Sequence, residues 1–215
     1  MGLPRVRVTE IFHSIQGESL SAGERTAFVR LTGCPLRCTY CDTTYAFKGG
    51  DWLGLGEILE RIAAYRVRHV CVTGGEPLAQ HACLALLTAL CDVGYEVALE
   101  TSGAMDIRPL DPRVIKILDL KTPASGEHGR NRLDNLQYLG PRDQVKLVIG
   151  DEADYHWAAA LVSDLALHER CTVLFSPVTP GCSPPDLADW ILRDRLPVRL
   201  QIQLHKVLWG DARGR

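Results

Sequence analysis

The sequence predicts an α/β fold, a partial (incomplete) TIM-type barrel of βα units, on three observations. Short β-branched runs alternate with longer segments of helical periodicity, and the loops between them are rich in glycine, proline and small polar residues. Right-handed βαβ crossovers turn such a series into a parallel sheet that curls toward a barrel. Because a closed eight-stranded barrel takes about 250 residues, the 215 residues here favour an incomplete one, in a single domain spanning residues 1–215.

The β-branched runs predict strands, and apolar residues spaced three and four apart predict helices. The predicted strands cover residues 6–12, 27–31, 69–73, 96–100, 115–119, 144–149, 172–175 and 199–204. The predicted helices cover residues 55–65, 78–93, 152–167 and 186–193. A parallel barrel gathers the segments that follow its strands at one mouth, and these segments read GCPLRCTYCDTTY, TGGEP, TSG, DLKTP, SPVTPG and HKVLWG.

Composition and charge exclude several classes of function. The formal net charge is −2 and the basic residues are spread along the chain, so we expect no extended nucleic-acid surface and no membrane-binding basic stripe. No apolar stretch approaches the roughly 20 residues of a membrane span, and the first residues carry no signal-peptide run. We expect a cytoplasmic protein that acts on a small molecule. In that reducing compartment its cysteines should be thiols or metal ligands.

Three cysteines form a C-x3-C-x2-C array: Cys34, Cys38 and Cys41. Soft sulfur ligands select zinc or iron-sulfur clusters. A closed zinc site takes four ligands, and no second paired motif is present, although His13, His69 or a water could complete a tetrahedron. A 4Fe-4S cluster held by three cysteines leaves one iron open to bind a substrate. The remaining cysteines are assigned no functional role, since free cysteine is commonly a small buried residue: Cys71, Cys83, Cys91, Cys171 and Cys182.

This array, on the loop after a predicted strand, resembles the signature of the radical S-adenosylmethionine enzymes. The resemblance implies that the open iron chelates the amino and carboxylate groups of S-adenosylmethionine. An electron from the reduced cluster then breaks the sulfonium bond and leaves a 5′-deoxyadenosyl radical. TGGEP at 73–77 is similar to the glycine-rich segment that receives the methionine end of the cofactor, at Gly75, because glycine lets the backbone approach a ligand closely. Tyr40 and Asp42 would lie on the adenine side.

Two further segments narrow the resemblance. EIFHSIQGES at 10–19 and FVRLTGC at 28–34, together with CDTTY, resemble the 7-carboxy-7-deazaguanine synthase family over nearly the whole chain. The resemblance implies a carbon-nitrogen lyase that converts 6-carboxy-5,6,7,8-tetrahydropterin into 7-carboxy-7-deazaguanine, with loss of ammonia, on the route to queuosine. The radical would remove hydrogen from C6 of the pterin. It also implies magnesium, a homodimer, and an electron donor such as flavodoxin or ferredoxin.

A pterin presents an edge of alternating donors and acceptors, which the backbone of SIQGE could match at Ile15, Gln16 and Gly17. The alternative is a polar turn after a strand. Arg30 stands in an otherwise apolar strand and requires an anionic partner. We expect that partner to be the substrate carboxylate, with a structural ion pair to an aspartate as the alternative. Thr73 would contact the pterin.

The resemblance makes Thr43 the magnesium ligand, since magnesium prefers hard oxygen ligands. Asp42 is the more obvious ligand by charge, the sequence does not separate the two, and a local threonine turn is a third possibility. Ser102, Lys121 and Ser176 end later strands and would hold the ribose or carboxylate of S-adenosylmethionine, although Lys121 could equally be a solvated lysine.

Two departures from the family bear on these assignments. Many members read SPK where this chain reads DLK, so Asp119 replaces a serine. The C-terminal carboxylate of the family can enter the site, but here GDARGR follows Trp209, and the sequence leaves the position of Arg215 open. Two other functions also stay open. One is a glycyl-radical activating enzyme, and the other is a non-catalytic zinc-binding module.

Overall fold

The computed structural model describes residues 4–178 and 181–215. Its strands are β1 (Arg5–Ile15), β2 (Arg25–Leu31), β3 (Asp51–Gly54), β4 (His69–Gly74), β5 (Glu96–Thr101), β6 (Ile115–Leu120), β7 (Gln144–Ile149), β8 (Thr172–Pro177) and β9 (Arg199–Leu200). Its α-helices are α1 (Leu55–Ala63), α2 (Cys83–Val93), α3 (Glu152–Asp164), α4 (Leu167–Arg170), α5 (Pro184–Asp194) and α6 (Leu204–Trp209). Within the described ranges, no helix is both long and apolar enough to cross a membrane.

All nine strands belong to one sheet, in the order β3-β1-β2-β4-β5-β6-β7-β8-β9. From β2 to β9 each neighbouring pair is parallel. The two ends of the sheet, β3 and β9, do not pair with each other in the described part of the chain, so the predicted partial barrel is confirmed. Such a sheet places the loops after β2 to β8 along one edge.

The sheet is not parallel throughout, which corrects the expectation of a uniform βα series. β1 pairs antiparallel with β2, and β3 pairs antiparallel with β1. The physical reason is that residues 16–24 connect β1 directly to β2 without a crossover helix, and an antiparallel pair needs none. The end of β1 therefore lies beside the start of β2, with Ile15 opposite Arg25, at the edge of the sheet away from the cysteine loop.

Residues 16–24 cross from that edge to the other side of the barrel. The amide of Ser19 donates to Gln201 Oε1 at 2.9 Å, just after β9. The amide of Leu20 donates to the Oε1 atom of Gln144, the first residue of β7, at 2.9 Å. Residues 16–24, which we call the base segment, thus span the base of the open barrel, opposite the mouth formed by the other loops.

The helices pack their apolar faces on the sheet. Buried side chains on them include Ile58 and Ile62 of α1, Leu86, Leu87 and Leu90 of α2, and Tyr155, Ala158 and Val162 of α3. Each fully buried large apolar side chain stabilises the fold by about 1.5–3 kcal/mol. Cys71, Cys83, Cys171 and Cys182 are buried and Cys91 is half-buried, in keeping with their apolar interpretation.

Several predicted boundaries were wrong. The helix predicted from residue 78 begins at Cys83, after a 3-10 turn at Pro77–Ala79. The helix predicted over 152–167 is divided at Ala166, which has a positive φ of 46°. The strand predicted over 199–204 contains two residues, because the chain turns into α6 at Leu204. β3 and α6 were not predicted.

Candidate active site

A cavity of about 610 Å³ lies inside the partial barrel. It is bounded by the cysteine loop, by the residues after β4, β5 and β6, by the base segment and by the end of the chain. All but one of the site residues predicted from the sequence line it: Ile15, Gln16, Gly17, Arg30, Cys34, Cys38, Tyr40, Cys41, Asp42, Thr43, Thr73, Gly75, Ser102 and Lys121.

Ser176 does not line the cavity. β8 runs to Pro177, two residues beyond its predicted end, so Ser176 lies inside the strand and is buried. Pro177 and Val178 line the cavity in its place. The rest of the predicted SPVTPG loop includes residues 179 and 180, which lie outside the described ranges.

The cysteine loop leaves β2 through Gly33, whose φ of 97° is in the region that favours glycine. Its three cysteines are half-exposed and line the cavity. Burial raises the pKa of the Cys34 and Cys38 thiols, so binding a metal at them must release protons. Among the described residues, no three side chains of His, Cys, Asp or Glu converge on one ion position. The thiolates of a 4Fe-4S cluster bind separate iron atoms and need no common ion position.

The TGGEP segment packs directly on the cysteine loop. The amide of Glu76 donates to the carbonyl of Gly33 at 2.8 Å. A Cβ atom at Gly75 would lie 2.2 Å from that carbonyl oxygen and 2.9 Å from Cys34 Cβ. Only glycine fits in this contact, and the two segments form a bare backbone surface beside the thiols. Soft thiol donors and a surface without side chains fit a 4Fe-4S cluster and a cofactor that approaches it closely.

Glu76 does not line the cavity but fixes two segments that do, a role that was not predicted from the sequence. Its side chain is fully buried, and its carboxylate accepts hydrogen bonds from the amide of Leu78 at 2.9 Å and from Thr101 Oγ1 at 2.9 Å. It also accepts from the amide of Ser102 at 2.7 Å and from Ser102 Oγ at 2.5 Å. Glu76 therefore fixes TGGEP to the TSG segment, and the Ser102 hydroxyl donates to this internal bond. The sequence signal for this role was the glutamate that directly follows the two glycines in TGGEP.

Arg30 has a carboxylate partner within the protein, which is Glu10 and not the aspartate of the alternative interpretation. Its Nε atom donates to Glu10 Oε1 at 2.7 Å, across the antiparallel β1–β2 pair. The Tyr45 hydroxyl donates to the same oxygen at 2.8 Å. No hydrogen bond to the Nη atoms of Arg30 occurs within residues 4–178 and 181–215. Arg30 can therefore form the structural ion pair through Nε and still bind an anion through its Nη groups, because a guanidinium has five donors.

At Gln16, the SIQGE turn offers a side chain rather than free backbone groups. The amide of Gln16 donates to Glu24 O and its carbonyl accepts from Gly23, at 2.8 and 2.9 Å. Its Oε1 atom accepts from the amide of Glu18 at 3.2 Å, whereas its buried Nε2 atom has no partner in the described structure. The carbonyl of Gly17 accepts from the amide of Leu204 at 3.0 Å. The expected backbone match to a pterin is thus corrected at Gln16, because those groups are used inside the turn.

Part of the cavity wall is a network of buried charges that local sequence did not reveal. Lys146 Nζ contacts Glu18 Oε2 at 2.6 Å and Asp119 Oδ2 at 3.3 Å. Lys121 Nζ contacts Asp119 Oδ1 at 2.8 Å, and its side chain is 12% exposed, so Lys121 is not a solvated lysine. Burial raises the pKa of Glu18 and Asp119, but the neighbouring lysines outweigh this effect and hold both below their ordinary values. Asp119, which replaces the serine of the family's SPK segment, thus forms ion pairs with two buried lysines.

Asp42 and Thr43 place a carboxylate and a hydroxyl side by side on the cavity. Thr43 Oγ1 donates to Asp42 Oδ1 at 2.8 Å, and Lys206 Nζ of α6 contacts Asp42 Oδ2 at 3.1 Å. Burial raises the pKa of Asp42, but Lys206 and Thr43 bring it below its ordinary value. Both residues offer the hard oxygen atoms that magnesium prefers.

The end of the chain reaches the cavity, which answers the question left open by the GDARGR tail. Residues 210–215 line the cavity, including Arg215. The Arg213 guanidinium lies 4.2 Å from the centre of the Tyr45 ring, in a cation–π contact. α6 packs on the base segment so closely that a Cβ at Gly17 would lie 2.1 Å from His205 Nδ1.

Known proteins are similar to this chain in sequence and in fold. The sequence family described as the Radical SAM superfamily matches residues 28–120. The 7-carboxy-7-deazaguanine synthase of Chlorobaculum tepidum is 47% identical over 97% of each chain. That of Koribacter versatilis is 41% identical over 95% of this chain and 97% of its own. That of Thermoplasma acidophilum is 38% identical over 96% of this chain and 99% of its own.

Solved structures agree with the fold. QueE from Escherichia coli superimposes with a TM-score of 0.77 at 24% identity, over 94% of this chain and 95% of that chain. SuiB from Streptococcus suis, bound to S-adenosylmethionine, superimposes with a TM-score of 0.57 at 14% identity, over 80% of this chain and 44% of that chain. The full-length sequence identity decides the family. The chain belongs to the 7-carboxy-7-deazaguanine synthases, within the radical S-adenosylmethionine superfamily.

Proposed function

We propose that the protein converts 6-carboxy-5,6,7,8-tetrahydropterin into 7-carboxy-7-deazaguanine and ammonia, in the biosynthesis of queuosine and related 7-deazapurines. One observation carries this proposal. The chain is 47% identical to a 7-carboxy-7-deazaguanine synthase. One cavity in it is lined by the three-cysteine loop and Gly75 and also by Arg30 and Gln16. The cavity can therefore hold a cofactor and a small anionic substrate together.

On the cofactor side, Cys34, Cys38 and Cys41 hold the 4Fe-4S cluster. Gly75 receives the methionine part of S-adenosylmethionine, and Tyr40 and Asp42 line the adenine side. When bound, these groups supply a one-electron cleavage of the sulfonium and a radical that removes hydrogen from C6 of the substrate. The protein contributes positioning and exclusion of water. The contact between Gly33 and Gly75 supports this assignment, because it leaves backbone beside the thiols.

The substrate side is formed by Arg30, Gln16 and Thr73. Arg30 binds the substrate carboxylate through its Nη groups, while Glu10 fixes the guanidinium through Nε. Gln16 Nε2, buried without a partner in the described structure, donates to the pterin. Thr73 Oγ1 donates to Glu100 Oε2 at 2.8 Å, which leaves its oxygen able to accept from the pterin.

Thr43 is the magnesium ligand in this proposal, and Asp42 stabilises it from the adjacent position. Magnesium tolerates water and substrate oxygens among its ligands, so one protein hydroxyl is sufficient. The ion pair between Lys206 and Asp42 supports the choice of Thr43, because that cation already occupies the carboxylate. A bound magnesium would orient the substrate carboxylate.

The protein also requires an external reductant, for which we propose flavodoxin or ferredoxin, and we propose that it works in the cytoplasm as a homodimer. Free cysteines throughout the described structure suit a reducing compartment. Exposed apolar side chains beside the edge strand β9 suit a subunit contact, among them Leu200, Ile202, Val207 and Leu208. Light scattering with size-exclusion chromatography tests the homodimer.

Of the two other functions that the sequence left open, neither is favoured by a specific observation. A glycyl-radical activating enzyme gives no account of the half-buried Arg30 on the cavity wall or of the Gln16 side-chain amide, which has no partner in the described structure. A zinc module gives no account of the 47% identity to a 7-carboxy-7-deazaguanine synthase over 97% of each chain.

The test uses protein reconstituted with iron and sulfide without oxygen, then supplied with S-adenosylmethionine, dithionite, magnesium and the carboxylated tetrahydropterin. We expect 7-carboxy-7-deazaguanine and ammonia in equal amounts, detected by mass spectrometry and an ammonia assay. A Cys38→Ser variant, which removes one cluster ligand, should form neither product. Reconstituted protein that contains the full cluster but leaves the pterin unchanged would reject the proposal.

A further inference from the structure

The outer side of the cysteine loop carries exposed cations that the proposed reaction does not use. Arg37 lies between the first two cysteines and is exposed, as are Lys48 and Arg130. The Arg37 guanidinium lies 4.3 Å from the centre of the Phe47 ring, next in sequence to Lys48. The amide of Arg37 donates to Glu127 Oε1 at 2.6 Å, one 3-10 turn before Arg130. Arg37 therefore contacts the two segments that carry the other cations, and we call these three residues the basic rim.

Arg37 is fixed in position over the loop that carries the thiols. Its Nη1 atom donates to the carbonyl oxygens of Cys34 at 2.8 Å and Leu36 at 2.6 Å. The cysteines line the cavity on the inner side of this loop, whereas Arg37 and Thr39 are exposed on its outer side. The loop itself thus separates Arg37 from the cavity that the cysteines line.

The three cations of the basic rim lack the carboxylate partners that some other surface arginines have. Arg61, Arg113 and Arg193 each pair with a carboxylate. Within the described ranges, no carboxylate lies within 4.0 Å of the side-chain nitrogens of Arg37, Lys48 or Arg130. One carboxylate, that of Glu127, does lie at the rim, where it accepts from the backbone amide of Arg37 at 2.6 Å and not from its guanidinium.

The chain as a whole has a net charge of −2. Its overall charge therefore repels an acidic partner, and attraction must come from a local surface. Unpaired charges of one sign at such a surface steer partners of the opposite sign.

We propose that the basic rim, Arg37, Lys48 and Arg130, is the docking surface for an acidic one-electron carrier protein that reduces the cluster. This inference rests on the proposed function, because it requires the cluster. The step is a transfer of one electron, in which the carrier is oxidised by one electron, the cluster is reduced by one electron, and no bond forms or breaks. Electrostatic steering brings the acidic face of the carrier to the loop before transfer.

The test compares two double variants with equal changes in charge. Lys48→Glu with Arg130→Glu reverses two charges of the rim and leaves Arg37 in its structural contacts. Arg142→Glu with Arg170→Glu reverses two exposed charges before β7 and β8, at the opposite end of the barrel. Each pair lowers the net charge by four. Reduction of the reconstituted cluster by photoreduced flavodoxin is followed by stopped-flow absorbance without oxygen, at several salt concentrations.

We expect the rim variant to lose about tenfold or more in its second-order rate constant at low ionic strength. The difference should shrink as added salt screens the charges. The control variant should stay within about twofold of the unaltered protein. Product formation with saturating dithionite should be the same in all three proteins, because a small reductant needs no docking surface.

Equal rates with flavodoxin for the rim variant and the unaltered protein would overturn the proposal, as would equal losses in both variants. If only the binding of a short RNA were lost in the rim variant, the surface would belong to nucleic acid instead. Failure of the proposed function has a separate signature, since dithionite would then give no product even in the unaltered protein.

Discussion

Arg30 binds Glu10 across the β1–β2 pair through its Nε atom, at a distance of 2.7 Å. The contact fixes the guanidinium in a cavity wall and uses one of its five donors. The Tyr45 hydroxyl donates to the same carboxylate oxygen of Glu10. The centre of the Tyr45 ring lies 5.9 Å from the guanidinium carbon of Arg30 and 4.2 Å from that of Arg213 in the C-terminal tail. Arg30 can therefore be held rigidly and still bind an anion.

Arg30→Lys should weaken substrate binding. A lysine retains the charge but loses the planar pair of donors, and a charge-assisted contact is worth about 1.5–3 kcal/mol. We expect KM and the substrate Kd to rise about 10- to 150-fold, measured by steady-state kinetics and by equilibrium binding. Arg25→Lys, on the exposed start of the same strand, is the matched control and should leave both values unchanged. An unaltered KM and rate in Arg30→Lys would exclude the carboxylate role.

Gly75→Ala should prevent assembly of the cofactor site. The added Cβ would lie 2.2 Å from the Gly33 carbonyl oxygen, so the TGGEP segment and the cysteine loop must separate. We expect loss of most bound iron and of S-adenosylmethionine binding, measured by iron analysis and calorimetry. Gly56→Ala is the control, because its Cβ meets nothing within 4 Å and alanine favours helix α1 by about 0.5–1 kcal/mol. Full iron content in Gly75→Ala would show that the contact is not needed.

Lys146→Met should strongly destabilise the protein. It leaves the carboxylates of Glu18 and Asp119 buried without their shared cation, and breaking a buried pair in this way costs about 3–5 kcal/mol. Denaturant unfolding at neutral pH measures the loss. The exposed i,i+4 pair of Glu57 and Arg61 provides the control, since Arg61→Met should cost only about 0.3–0.5 kcal/mol. A loss below about 1 kcal/mol in Lys146→Met would contradict the buried network.

The same network predicts a pH dependence with a definite sign. The pKa of Glu18 and Asp119 is lowered from ordinary values of 4.5 and 3.8, so their contribution is present above those values and is lost as pH falls through the lowered ones. The pKa of Lys146 is raised above 10.5, so its contribution is lost only as pH rises beyond that value. Without Lys146, burial raises the pKa of Glu18, so we expect the deficit of Lys146→Met to be largest at neutral to mildly alkaline pH and to shrink on acidification, beginning above the ordinary value of 4.5. A deficit that grew toward low pH would refute the assignment.

Thr43→Ala should change the magnesium requirement. Loss of the hydroxyl removes the proposed protein ligand, so we expect the magnesium concentration for half-maximal rate to rise about tenfold or more. Asp42→Asn is the comparison, and it should have the smaller effect because Lys206 pairs with that carboxylate. An intact magnesium response in Thr43→Ala, with a lost response in Asp42→Asn, would reverse the roles of the two residues.

Local sequence patterns predicted the parallel strands and the cysteine, glycine and arginine positions of the site. They failed where pairing over long distances decides the structure. β3 is a strand because Asp51–Gly54 pairs with β1, and nothing in those four residues requires it. The Lys146–Glu18 pair joins residues 128 positions apart, so no local pattern could reveal it. Ser176 was misplaced because β8 extends two residues further than its β-branched run.

The central claim is that one cavity brings the cofactor to C6 of the bound pterin. Substrate carrying deuterium at C6 tests it most directly, with the 5′-deoxyadenosine formed during turnover analysed by mass spectrometry. We predict that this deuterium appears in 5′-deoxyadenosine in proportion to the 7-carboxy-7-deazaguanine produced. Product formed together with 5′-deoxyadenosine free of deuterium would contradict the account.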